Sequence, residues 1–152
     1  MTVEQKIEEI LRNHESWKKA SRRNDRKRDQ VLRDRFEQLA GELMETPEGR
    51  AAMEELLDHP SSRLRYAVST AVIEWAPEKA IPVLARLIHE DFDEELEPWE
   101  EVSVRTRACM PLAYHFGYHP SEWTELPERL AEYGIDLPEE TVRRLHWMKP
   151  DT

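Results

Sequence analysis

The chain has 152 residues, 36% of them charged, and a net charge of −10 with histidine neutral. Such an acid excess sets it against DNA, RNA and anionic lipid, and favours basic partners or plain solvation. A single cysteine excludes an intrachain disulfide, and no apolar run approaches a membrane span, so a reducing, cytoplasmic setting is expected.

With only four glycines and no alternating β-branched runs, the pattern predicts an all-α protein in one domain, residues 1–152. The opening MTVEQKIEEILRNHE lacks the apolar core of a secretory signal. Val3, Ile7, Ile10 and Leu11 recur at helical spacing over residues 2–15, with Thr2 as the cap. A second, longer helix is expected over 17–45, with Val31, Leu32, Phe36, Leu39 and Leu43 on its apolar side. The first break should therefore fall at residue 16.

The start of that second helix is unusual. Lys18, Lys19, Arg22, Arg23, Arg26, Lys27 and Arg28 stand against one acid, Asp25. One reading is a patch for nucleic acid or phosphate. The other is a solvated helix face paired with acids elsewhere. The overall charge, the absence of interleaved aromatics, and Asp29 and Asp34 read as exposed favour the solvated face. Nucleic acid is then not an expected partner.

Thr46-Pro47-Glu48 should open a third helix, with Thr46 as cap and Pro47 in its first position. It carries Ala51, Ala52, Met53, Leu56 and Leu57 and is closed by Asp58 and His59. Pro60 then breaks the chain, and Ser61 or Ser62 caps a fourth helix over 62–75. Ala76-Pro77 starts a fifth over 77–89. A sixth is expected over 102–116, kinked or broken at Pro111 and ended by Gly117. Beyond it lie a helix or turn from Pro120 to Gly134 and a last helix from Asp136, ended by Pro150. That makes seven to eight helices. Of the tryptophans, Trp17, Trp75, Trp123 and Trp147 read mainly as core, whereas Trp99 is flanked by acids and reads as exposed.

Residues 90–101, EDFDEELEPWEE, interrupt the helical pattern. Eight of the twelve are acidic, with Phe92, Leu96 and Trp99 interleaved. Connections between paired helices are usually shorter. A binding loop would use the acids to steer a basic partner and Phe92 or Trp99 to anchor it. An acidic cap would instead tuck its aromatics against the core. The spacing lacks the DxDxDG pattern of a calcium loop.

Two stretches repeat. Leu64-Arg65-Tyr66-Ala67-Val68 and Val104-Arg105-Thr106-Arg107-Ala108 share the pattern apolar-Arg-x-x-apolar, and each is followed by a further apolar residue, Val72 and Leu112. This resembles the HEAT-type repeat. The resemblance implies antiparallel helix pairs stacked as a short right-handed α-solenoid. Residues 1–46 would be N-terminal helices, 47–117 two repeats with the acidic insertion 90–101, and 118–152 capping helices. It also implies a structural role for Arg65 and Arg105, bonding carboxylates or carbonyls of the neighbouring turn. The Leu56-Leu57-x-His59-Pro60 turn, the Pro77-Glu78-x-Ala80 turn and the Trp17-Lys18-Lys19-Ala20 segment resemble a family of small bacterial helical-repeat proteins, in which Ser21 stands where an asparagine is expected. Several families of this build resemble immunity proteins encoded beside secreted toxins.

Catalytic signatures are missing: there is no GxGxxG, Walker loop, GxSxG or HExxH. His115 and His119 are separated by Gly117 and do not share a helix face. Cys109, beside Ala108 and Leu112, reads as a small buried hydrophobe. No cofactor, metal or enzymatic activity is expected. The function that fits is protein binding, most concretely neutralisation of a basic toxin. Asp91, Asp93, Glu94, Glu95, Glu97 and Glu100 would steer and Phe92 and Trp99 would bury, while Tyr66, Ser69, Thr70, Glu74, Arg107 and Tyr114 line a groove. The alternatives are a HEAT-like nucleic-acid-binding protein or DNA glycosylase-like enzyme, using Lys18 to Arg28, and a scaffold or adaptor.

Overall fold

The computed structural model describes residues 1–92 and 94–147. Among them every regular element is helical. The chain divides into two compact units, Met1–His59 and Pro60–Thr152.

The first unit contains α1 (Val3–Arg22), α2 (Arg26–Leu43) and α3 (Pro47–Glu55), followed by a 3-10 turn at Leu56–Asp58. Thr2 caps α1, its hydroxyl accepting from the Gln5 N–H at 3.1 Å while the Thr2 N–H donates to Gln5 Oε1 at 2.8 Å. Ile10, Trp17 and Ala20 of α1 are buried, as are Leu32, Leu39 and Leu43 of α2. The α1 stripe runs straight through residue 16, so the expected break there does not occur. Ser16 is exposed, and the burial of Trp17 rewards continuing the helix.

The break falls eight residues later. Asn24 takes a left-handed conformation, φ 55°, which Asn tolerates better than other non-glycine residues. The Asp25 N–H reaches back to the Ala20 carbonyl at 2.9 Å and the Asn24 N–H to Ser21 at 3.2 Å. Asp25 then caps α2, accepting from the Arg28 N–H at 3.1 Å. The corner is pinned by Asp29, whose carboxylate accepts from Trp17 Nε1 at 2.8 Å, Ser21 Oγ at 3.2 Å and Arg33 Nη2 at 3.2 Å. Asp29 is thus a half-buried link between α1 and α2, not the exposed acid expected.

Thr46 and Pro47 open α3 as expected, Thr46 Oγ1 accepting from the Gly49 N–H at 3.0 Å. Gly49 is buried against the end of α2: a Cβ there would lie 2.0 Å from the Leu43 carbonyl oxygen. Only glycine permits this approach.

The second unit contains α4 (Ser62–Val72), α5 (Pro77–His89), α6 (Pro98–His115), a 3-10 segment (Pro120–Glu125), α7 (Leu126–Ala131) and α8 (Glu139–Leu145). Ser61 caps α4, and Pro77 occupies the first turn of α5. Helix α4 stops three residues short of the expected 75, and the chain turns through Ile73–Trp75. Helix α6 starts four residues before the expected 102 because Pro98 suits its first turn. It runs through Pro111 to His115, so the helix is not broken there.

Helices α4, α5 and α6 pack on one another. Leu64, Val68 and Val72 meet a core that includes Ile81, Leu84, Leu87 and Ile88 of α5 and Ala108, Cys109 and Leu112 of α6, all nearly inaccessible. Each such large aliphatic side chain contributes about 1.5–3 kcal/mol through burial. Gly117 and Gly134, with φ 75° and 77°, end α6 and α7 with the same paired back-bonds as Asn24. Tyr118 N–H reaches Ala113 at 2.8 Å, and Ile135 N–H reaches Leu130 at 3.1 Å. Trp123 is buried, but Trp147 is 88% exposed and not core, because α8 ends two residues before it. Pro150, the expected stop, lies outside the described residues.

Candidate functional site

The site is built where the acidic segment runs into α6. Glu97 precedes the helix, its N–H donating to Glu100 Oε1 at 3.2 Å. Pro98 follows in the first turn, and Glu100 and Glu101 add negative charge there, which suits the helix dipole.

Two arginines organise the start of the segment. Arg105 is buried and donates from Nη1 to the Ile88 carbonyl at 2.9 Å. Its Nη2 donates to the Glu90 carbonyl at 2.7 Å and to Glu101 Oε1 at 2.8 Å. Its guanidinium carbon lies 4.7 Å from the centre of the Phe92 ring. Arg65 Nη1 donates to the Glu90 carboxylate at 2.5 Å. Farther on, Glu94 turns back onto α4, accepting from the Ser62 N–H at 2.7 Å and Ser62 Oγ at 3.0 Å.

These contacts sort the sequence candidates. Glu94 is engaged at the α4 N-terminus, and Phe92 sits half-buried against Arg105. Glu100 is 4% exposed and Ser69 fully buried, the Ser69 hydroxyl donating to the Arg65 carbonyl at 2.6 Å. Glu100 and Ser69 present no free surface, and Glu94 and Phe92 are half-buried, engaged with Ser62 and Arg105. Asp91, Glu95, Glu97, Trp99, Thr70, Glu74, Arg107 and Tyr114 remain exposed, and Tyr66 is half-buried. Asp93 lies outside the described residues. The loop therefore takes something from both expectations: Phe92 tucks in, whereas Trp99 faces out.

The structure adds two residues that the periodicity did not single out. Trp99, Val102, Met110 and Tyr114 are 53%, 60%, 48% and 89% exposed. Their spacing of three, eight and four places them on one face of α6. The stripe runs about 22 Å along the helix at 1.5 Å per residue. Val102 and Met110 were hidden because α6 is apolar on two sides, and the Ala108–Leu112 side dominates the pattern. The exposed acids Asp91, Glu95 and Glu97 precede the stripe in the chain.

The groups with reactive potential lie elsewhere. Cys109 is fully buried, and burial pushes its thiol up to about 12. It holds no thiolate at neutral pH. His89 is pushed below its ordinary value, chiefly by burial; Glu90 opposes the shift, and Arg105 and Arg86 add to it. His115 ends α6 and His119 lies beyond Gly117, outside the helix.

Comparison with protein-family models, curated proteins and solved structures finds no match to this chain. Among the described residues, no helix is long and apolar enough to cross a membrane.

Proposed function

We propose that the protein is a non-enzymatic binding module that seats a protein partner on the exposed face of α6. In its most concrete form it is a cytoplasmic bacterial immunity protein that neutralises a cognate basic toxin. The observation that carries the reading is the stripe Trp99, Val102, Met110 and Tyr114, preceded in the chain by the exposed acids Asp91, Glu95 and Glu97. Aromatic anchors supply most of the affinity at protein interfaces, and flanking charge speeds association. A stoichiometric inhibitor needs this surface and no catalytic group.

The HEAT-like reading of α4–α6 belongs to the same proposal. It is supported by the matched positions of Arg65 and Arg105 and by their shared target, Glu90.

The test is co-expression with any toxin encoded beside this chain. Wild type should rescue growth and co-purify stoichiometrically. Trp99→Ala with Met110→Glu should lose both while keeping the wild-type melting temperature. Failure of wild type to protect against any adjacent toxin would sink the immunity assignment. A double variant that binds as well as wild type would move the site off α6.

A further inference from the structure

The basic run Lys18 to Arg28 acquires a new meaning from where the helices break. It does not lie along one helix. Arg22 closes α1, Asn24 turns the chain, and Arg26 opens α2. Lys19, Arg22, Arg23, Arg26, Lys27 and Arg28 are all exposed at or next to this corner. Seven cations against Asp25 give residues 18–28 a charge of +6 inside a chain of −10.

The two sides of the corner differ in what they do for the fold. Cations at the end of α1 suit the helix dipole. Arg26, Lys27 and Arg28 stand at the start of α2 between Asp25 and Asp29, where positive charge opposes the dipole and outnumbers the two acids that suit it. Local choices that work against the fold concentrate at functional sites. The corner is also polar between its cations, with Ser21, Asn24 and Asp25 and no exposed apolar residue to enter a bilayer. The acids elsewhere in the chain are screened beyond a Debye length of about 8 Å at physiological salt, so a ligand touching the corner meets the local charge.

We propose that the α1–α2 corner binds the phosphate backbone of a nucleic acid, without reading its sequence. The Asp25 carboxylate already takes the Arg28 N–H at the start of α2, so side chains and not helix amides carry the contact. The inference does not rest on the protein-binding reading, which uses α6.

The experiment titrates the full chain against a short fluorescent DNA duplex, the matching RNA duplex, and phosphatidylserine vesicles. Binding to a duplex should weaken on the order of 10²–10³-fold between about 50 and 200 mM salt, with a log–log slope near −0.9 for each phosphate contacted. The two duplexes separate DNA from RNA as the source of the phosphates. R26Q/K27Q/R28Q should lose at least about tenfold in affinity and flatten the slope by roughly 0.9 for each contact removed. It should melt no lower than wild type, since it relieves the dipole conflict. K19Q/R22Q/R23Q, on the other side of the corner, gives an independent loss of binding. Absence of duplex binding at low salt would overturn the proposal. So would unchanged binding by both variants, or binding to vesicles alone.

Discussion

Arg105 donates to the backbone carbonyl of Glu90 across 2.7 Å, while the Glu90 carboxylate takes Arg65 from α4. One residue just past the end of α5 thereby joins three helices. The two arginines are not equivalent. Arg105 serves two carbonyls and Glu101 with a single planar fork, whereas the buried Arg65 Nε makes no hydrogen bond among the described residues.

Substitution should expose that difference. Arg105→Ala orphans the Ile88 and Glu90 carbonyls and is expected to cost about 2–4 kcal/mol, with Arg105→Lys recovering only part, since an ammonium cannot reproduce the fork. Arg65→Lys keeps a single charged donor and should cost under about 1 kcal/mol. Urea denaturation of the three variants checks the order. Equal losses for the two lysine variants would refute the assigned roles.

Gly49→Ala forces a Cβ to within 2.0 Å of the Leu43 carbonyl oxygen, a backbone atom that cannot swing aside. Overpacking of this kind costs about 1–3 kcal/mol. Gly41, which has nothing within 4 Å of its added Cβ, is the control: inside α2, Gly41→Ala should stabilise by roughly 0.5–1 kcal/mol. Thermal melts of the pair should move in opposite directions.

The Cys109 thiol is inaccessible and its ionisation is pushed up to about 12. The native protein should therefore resist a thiol-exchange reagent at neutral pH and react with one equivalent on unfolding. Rapid reaction of the folded chain would contradict the burial.

His89 is held below its ordinary value by burial. The unfolded chain then binds this proton more readily than the folded one, so stability rises with pH across the window below about 6.5. The contribution is complete above that value and is lost as pH falls toward the folded pKa. His89→Gln should flatten the denaturation free energy between about pH 5 and 7. An unchanged slope would assign the pH dependence to other groups.

Helix punctuation was legible without coordinates. Thr2, Thr46-Pro47, Ser61, Pro77 and Gly117 each do what their local chemistry predicts. Caps and turn residues act on the nearest three or four backbone groups, so neighbours in sequence suffice to define them. The Asn24-Asp25 corner carries the same type of signal, masked by the basic residues around it.

What the sequence by itself determined is therefore the all-helical character, the starts of α1, α3, α4 and α5, and the burial of residues such as Leu84 and Cys109, because periodicity and capping are local. Tertiary structure alone decided which acids of residues 90–101 turn inward and that Trp147 stands open. Glu94 and Trp99 are five residues apart in the same acidic stretch, yet one caps α4 and the other stands open on α6. That choice depends on Ser62, thirty-two positions away from Glu94, and no local pattern can encode a partner so distant in the chain.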